Sequence, residues 1–301
     1  MIRFTVIGGY LGAGKTTLLN QILSDNDDIR FALLINDFGE INIDAQLIES
    51  ETDSQINLTN GCVCCTLVDG FHEAIARLCE LDPPPDHIVV EASGVADVAN
   101  LAQYGYTPEL QLDGVLVLAD AETVVEKARD KYVARTVQRQ LASADIIILN
   151  KTDLVTTAVL EKRLSWLHEN YPDTTIIESS FGRVPLSLLL GVHQDLEVAA
   201  GHADHESYIT WKWEFSSAVS EAALNLFVEK LPATVIRAKG FAQIEDGSVK
   251  LVQVVGRRKE ILPSDRSRQG TLLTAIGLER QLDPIVLSTL AKNFLQDQTA
   301  S

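Results

Sequence analysis

Residues Gly9-Tyr10-Leu11-Gly12-Ala13-Gly14-Lys15-Thr16 read G-x-x-x-x-G-K-T. The apolar run Phe4-Thr5-Val6-Ile7 precedes them, and the helical pattern Thr17-Leu18-Leu19-Asn20-Gln21-Ile22-Leu23 follows. Strand, glycine-rich turn and helix start, in that order, are what a phosphate-binding loop requires. Glycines let backbone N–H groups turn inward around an anion. The helix start adds unsatisfied N–H groups and the positive end of its dipole. Gly9, Gly12, Ala13, Gly14 and Thr17 are thus expected around the phosphates, with Lys15 on the β- and γ-phosphates and the Thr16 hydroxyl on Mg²⁺. A chain built around such a loop is expected to be α/β, with a mostly parallel sheet.

The later apolar runs fit that sheet. Phe31–Ile35, His87–Val90, Val115–Leu118 and Ile146–Leu149 are nearly continuously apolar, as strands buried on both faces are. Chemistry-bearing residues follow three of them. Asn36-Asp37-Phe38-Gly39-Glu40 comes after the first, where open α/β sheets bind ligands. Asp37 is a candidate Mg²⁺ residue there and Glu40 a candidate acidic ligand; a solvated loop is the plain alternative for both. Glu91-Ala92-Ser93-Gly94 follows the second. An acid at a strand end, with glycine three residues on, would hold the Mg²⁺ shell while the Gly94 N–H senses the γ-phosphate. Residues 95–108 would then form the switch. Asn150-Lys151-Thr152-Asp153, after the fourth run, reads N-K-x-D. Guanine presents N1–H and an N2 amino group side by side, and one carboxylate, Asp153, can accept both; adenine lacks that pair. Lys151 would pack its stem over the base, and Asn150 would brace the loop. A helix over 157–170 and a strand over 174–177 lead to Ser179-Ser180, where a base-binding loop would lie.

Three of four cysteines cluster at Cys62, Cys64 and Cys65. In an extended segment Cys62 and Cys64 point the same way. Two thiolates so spaced can hold a soft or borderline cation such as Zn²⁺ at about 2.3 Å. Cys65 or a nearby carboxylate could be a third ligand. Buried small side chains or a redox pair are the alternatives. Cys79, in a helical stretch, reads as core. His72 reads as a helix-surface residue and His87 as the entry of a strand, away from the chemistry; His202 and His205, in a linker over 201–206, could bind metal or be solvated.

From about Ser207 the pattern changes. Trp211, Trp213 and Phe215 alternate with Lys212 and Glu214, a half-buried strand. A helix, several strands and a last helix follow, giving a small α+β unit with helices on one face. The expected division is a nucleotide domain over 1–200, the linker, and a second domain over 207–301. Arg257-Arg258-Lys259 is a basic spot, read as a hairpin or a docking point.

Composition excludes several classes. The formal net charge of −17 opposes non-specific nucleic-acid binding, which relies on Lys and Arg at phosphates. No apolar run approaches the roughly 18 residues that span a bilayer. The first run is short and ends in Gly8-Gly9, a poor leader and a good strand. Clustered cysteines suit a reducing compartment, so the cytoplasm is expected, without membrane or nucleic-acid partners.

Taken in order, G-Y-L-G-A-G-K-T-T-L-L, N-D-F-G-E-I-N-I-D, N-G-C-V-C-C, E-A-S-G-V-A-D and N-K-T-D resemble the CobW-like family of P-loop GTPases. The likeness covers the whole chain, residues from about 207 resembling the family's C-terminal CobW domain. It implies a P-loop GTPase domain followed by a small α+β domain, and a GTP-hydrolysing metal chaperone or insertion factor. GTP or GDP and Mg²⁺ would be bound, with Zn²⁺, or alternatively Co²⁺, as cargo for a client apoprotein. Lys15, Thr16, Asp37 and Glu91 would carry the hydrolytic site. Cys62, Cys64 and Cys65 would be the metal motif, with Glu40 beside them, coupled to the nucleotide through the switch. A homodimer governed by metal or nucleotide is a further partner compatible with the resemblance. Asp37 stands where Glu is common, Asn42 where Gly is common, and Val98 where Pro often follows Ala-Asp. These departures leave the switch geometry open. A regulator with redox-sensing cysteines and an ordinary GTPase with structural zinc are the competing readings.

Overall fold

The continuous apolar runs become strands of one parallel sheet. A computed structural model of the chain describes residues 1–24, 29–36, 55–58, 68–190, 202–203, 206–265 and 268–296. They divide into two units, Met1–Leu186 and Ser187–Ser301. The first contains β1 (Ile2–Gly9), β2 (Phe31–Asn36), β3 (Gln55–Leu58), β4 (His87–Glu91), β5 (Leu110–Asp120), β6 (Ile146–Asn150) and β7 (Thr175–Glu178). Their order is β3-β2-β4-β1-β5-β6-β7, parallel throughout. β4 and β6 are buried at every residue, the burial that a sheet covered on both faces imposes.

The strand order locates the site. The chain moves to one side of β1 through β2, β3 and β4, then crosses to the other with β5. The C-terminal ends flanking that reversal form the crevice in which such sheets bind ligands. Gly9, Glu91, Asp120 and Asn150 are the last residues of β1, β4, β5 and β6. Register sets them side by side: Ile7 pairs with Glu91, and Asp120 with Asn150.

The helices of this unit are α1 (Lys15–Ser24), α2 (Val68–Cys79), α3 (Val98–Ala102), α4 (Val124–Lys127), α5 (Ala134–Ser143) and α6 (Thr157–Asn170). α1 presents Leu18, Leu19 and Ile22, each with no exposed surface, and this burial fixes the direction of its N-terminus. Leu19→Ala is expected to cost about 2–5 kcal/mol, read as a lower urea midpoint; a loss under about 1 kcal/mol would contradict this packing. The stretch expected as a switch contains α3 and a 3₁₀ turn at Gln103–Tyr106. Asp97 starts α3, its carboxylate accepting from the Ala99 N–H at 3.1 Å. α4 and α5, between β5 and β6, have no counterpart in the sequence reading.

The second unit contains β8 (His202–Ala203), β9 (Glu206–Phe215), β10 (Arg237–Gln243), β11 (Val249–Val255), β12 (Arg258–Ser264) and β13 (Thr271–Leu278). They form an antiparallel sheet, order β12-β11-β10-β13-β9-β8. The helix Leu186–Leu190, across the division of the units, is α7; α8 (Glu221–Lys230) and α9 (Pro284–Ala291) cover one face of the sheet. Trp211, Leu273 and Val252 pack there with Phe227 and Leu287. The Trp211 indole N–H donates to Ser288 Oγ at 2.9 Å, so this tryptophan is core, as its alternation indicates.

Two residues of the basic spot, Arg258 and Lys259, have partners within this unit. Lys259 Nζ donates to the carbonyls of Glu229 and Leu231 at 3.0 and 2.8 Å, capping the C-terminal end of α8. Burial lowers the Lys259 pKa, and Glu229 offsets part of the shift. Arg258 pairs with Glu260 at 2.9 Å. Among the described residues no helix is long and apolar enough to cross a membrane.

Candidate nucleotide site

The G-x-x-x-x-G-K-T segment runs from the end of β1 into the first turn of α1. Gly9, Gly12 and Gly14 have φ of 134°, 78° and 103°. Gly14 has a second constraint, since a Cβ there would lie 2.3 Å from Asn150 Nδ2. The Ala13 N–H donates to the Tyr10 carbonyl at 3.1 Å, closing the turn. Lys15 is the first residue of α1 and only 8% exposed. A lysine is rarely so buried except where it meets a fixed anion or acceptor. Thr17 is exposed on the same turn.

Beside Lys15, Thr16 Oγ1 donates to Glu91 Oε1 at 3.5 Å. Glu91 is 3% exposed at the end of β4. Hydroxyl and carboxylate oxygens beside the glycine-rich turn are the donor type of a hard divalent cation, so these residues fit magnesium. Ser93 Oγ is buried nearby in sequence and has no hydrogen-bond partner among the described residues. Gly94 closes on the loop: a Cβ there would meet Leu11 N at 2.8 Å and Leu11 Cγ at 2.6 Å. Any larger side chain would push these two segments apart.

The third part of the site is held by Asn150. Its Nδ2 donates to the Ala13 carbonyl at 2.9 Å, and its Oδ1 accepts from the Gly182 N–H at 3.0 Å. One amide thus joins the glycine-rich turn to the loop after β7. Lys151 adopts the left-handed conformation, φ 64°, and its Nζ pairs with Asp120 Oδ2 at 2.9 Å. Thr152 Oγ1 donates to the Ser179 carbonyl at 3.1 Å and lies 2.9 Å from Ser180 Oγ. Asp153 follows in a 3₁₀ turn with its carboxylate exposed. Asp120 and Phe181 also lie here, and neither belongs to a motif. Phe181 is 62% exposed with φ 58°, beside the glycine that Asn150 holds. A polar residue closing β5 opposite Asn150 was the available signal for the first; Phe181 carries none.

Asp37, Glu40, Cys62, Cys64, Cys65 and His205, with the side chain of His202, lie outside the described residues. Of the cysteines, Cys79 is described; it is a free thiol packed against the core. Burial first, then the charges of Glu109 and Glu80, raise its pKa, so it remains a thiol at neutral pH. His87 is fully buried, 2.8 Å from Thr5 Oγ1 by its Nε2, and His72 is exposed on α2.

The chain matches two family models. Residues 3–178 match the CobW/HypB/UreG nucleotide-binding domain, and residues 208–293 the cobalamin synthesis protein CobW C-terminal domain. It is 32% identical to the zinc chaperone CobW of Sinorhizobium sp, over 92% of this chain and 93% of that protein. It is 31% identical to the zinc chaperone CobW of Pseudomonas aeruginosa, over 84% and 80%. It is 35% identical to the zinc chaperone YjiA of Escherichia coli, over 64% and 62%. With a nucleotide-domain match across more than half its length and a CobW C-terminal domain behind it, the chain belongs to the CobW/HypB/UreG family.

Proposed function

We propose that this chain is a GTP-hydrolysing metallochaperone that binds Zn²⁺ at Cys62, Cys64 and Cys65 and delivers it to a client apoprotein. The observation that supports it is that the C-terminal ends of the strands bring together the glycine-rich turn, the Thr16–Glu91 oxygen pair and the loop after β6, with Asn150 joining that turn to the loop after β7. The names of the relatives, zinc chaperones in two cases along most of their length, support zinc as the cargo. Thiolates suit that ion, and keeping them as thiols until it arrives requires a reducing compartment such as the cytoplasm.

In this reading Lys15 and the N–H groups of the loop hold the β- and γ-phosphates. Thr16 and Glu91, with Asp37, would hold magnesium, which would supply neutralisation of the phosphate charge. Gly94 lies against the P-loop and offers its N–H toward the γ-phosphate. Asp153 accepts from the guanine edge, and the Lys151 stem, held by Asp120, packs over the ring. Metal at the cysteines, with Glu40 beside them, is coupled to the nucleotide only if it binds the two nucleotide states with different free energies. Hydrolysis then lowers the affinity for metal and releases it.

Competition titration of Zn²⁺ with a GTP analogue and with GDP tests this. An affinity shift of about tenfold or more is expected, corresponding to ~1.4 kcal/mol of coupling, and Cys64→Ala should abolish it. Equal zinc affinity in both states would sink the chaperone reading. Loss of the fold on chelation would instead assign the metal a structural role, since structural zinc contributes folding free energy.

A further inference from the structure

The segment that follows Glu91 is held from outside the nucleotide crevice. Gln140, on α5, is 2% exposed. Its Nε2 donates to the Gly94 carbonyl at 3.2 Å and to the Ala96 carbonyl at 3.0 Å. One amide group thus uses both hydrogens on the short turn that carries Gly94, which closes further by Ala96 N–H to the Ser93 carbonyl at 3.0 Å. The neighbouring Arg139 pairs with Asp97, and Asp97 is the residue that starts α3. A recess of about 260 Å³ lies on the same side, bounded by Val95, Thr136 and Arg135. The turn therefore has ties on α5 and open space beside them.

We infer that Gln140 is a positioning residue for the γ-phosphate: it holds Gly94 against the P-loop before nucleotide arrives. The inference rests on the GTP reading above. Gly94 already packs on the Leu11 backbone, where a γ-phosphate contact would need it. Preorganising that contact favours the triphosphate, because the ordering cost is met before binding. The diphosphate lacks the γ-phosphate and gains nothing. Gln140 thus contributes to the difference between the two nucleotide states while touching neither.

The test compares wild type with Gln140→Met, which keeps length and burial but has no N–H donor. Affinity for a non-hydrolysable GTP analogue is expected to fall about fivefold or more, since a net hydrogen bond contributes about that factor. Affinity for GDP should stay within about twofold of wild type. Hydrogen exchange over residues 93–99, without nucleotide, should accelerate. A merely structural glutamine would weaken both nucleotides alike, so an unchanged ratio of the two affinities overturns the inference. If Gln140→Met fails to fold, Gln140→Asn, which withdraws the amide by one methylene, reads the same ratio. If wild type binds neither nucleotide, the GTP reading fails instead. Exchange then decides the clamp alone: faster exchange in the variant supports it, and unchanged exchange overturns it.

Discussion

Lys15→Ala is expected to lower kcat/KM for GTP by about 10²–10³, the effect of removing one preorganised group from a developing oxyanion. Lys15 is 8% exposed at the first residue of α1, so its ammonium acts where water screens little. The helix start holds it in place through Leu18, Leu19 and Ile22, which the substitution leaves intact. Alanine is also a good helix former, so the fold should persist. The control is a thermal midpoint within a few degrees of wild type. GTP-analogue binding should weaken as well, since a hydrogen bond to a charged group contributes about 1.5–3 kcal/mol. Turnover within tenfold of wild type, by a folded variant, would remove Lys15 from the phosphate site.

Asp153→Asn should change the base that is bound. The carboxylate would accept two hydrogen bonds from guanine, each contributing about 1.5–3 kcal/mol, so GDP affinity is expected to drop by about 10²–10⁴. An asparagine amide offers one acceptor and one donor. Xanthine has an N1–H donor beside a C2 carbonyl acceptor, so xanthosine diphosphate should bind the variant better than it binds wild type. ADP should gain nothing from the change. Asp153 is exposed and sits in a 3₁₀ turn anchored by Thr152 on Ser179 and Ser180, so the substitution should leave stability unaffected. Equilibrium binding of the three diphosphates checks this. Undiminished GDP binding would show that the base is read elsewhere.

The glycine-rich turn before α1, Glu91 at a strand end and N-K-x-D were legible because each is a local pattern beside a continuous apolar run. Five residues of IIILN are buried in β6, as such a run demands. The second unit was legible for the same reason, through the alternation around Trp211. What could not be read are the side chains that reach across. Nothing around residue 140 marks a glutamine as a tether, and α5 itself is a polar helix whose buried residues include Val137, Gln140 and Leu141. Lys259 is part of a basic spot in the sequence, yet the fold sets it on the end of α8.

The glycine-rich turn, the parallel strands and the type of residue at each strand end are written locally in the chain. Those features depend on spacing, glycine freedom and hydrophobic runs, all within a few residues. Which of those ends meet is set by the fold. Asn150 reaches Ala13 across 137 positions, and Gln140 reaches Gly94 across 46. Such contacts follow from strand order and helix placement, and these are settled by burial of the whole sheet rather than by any one segment.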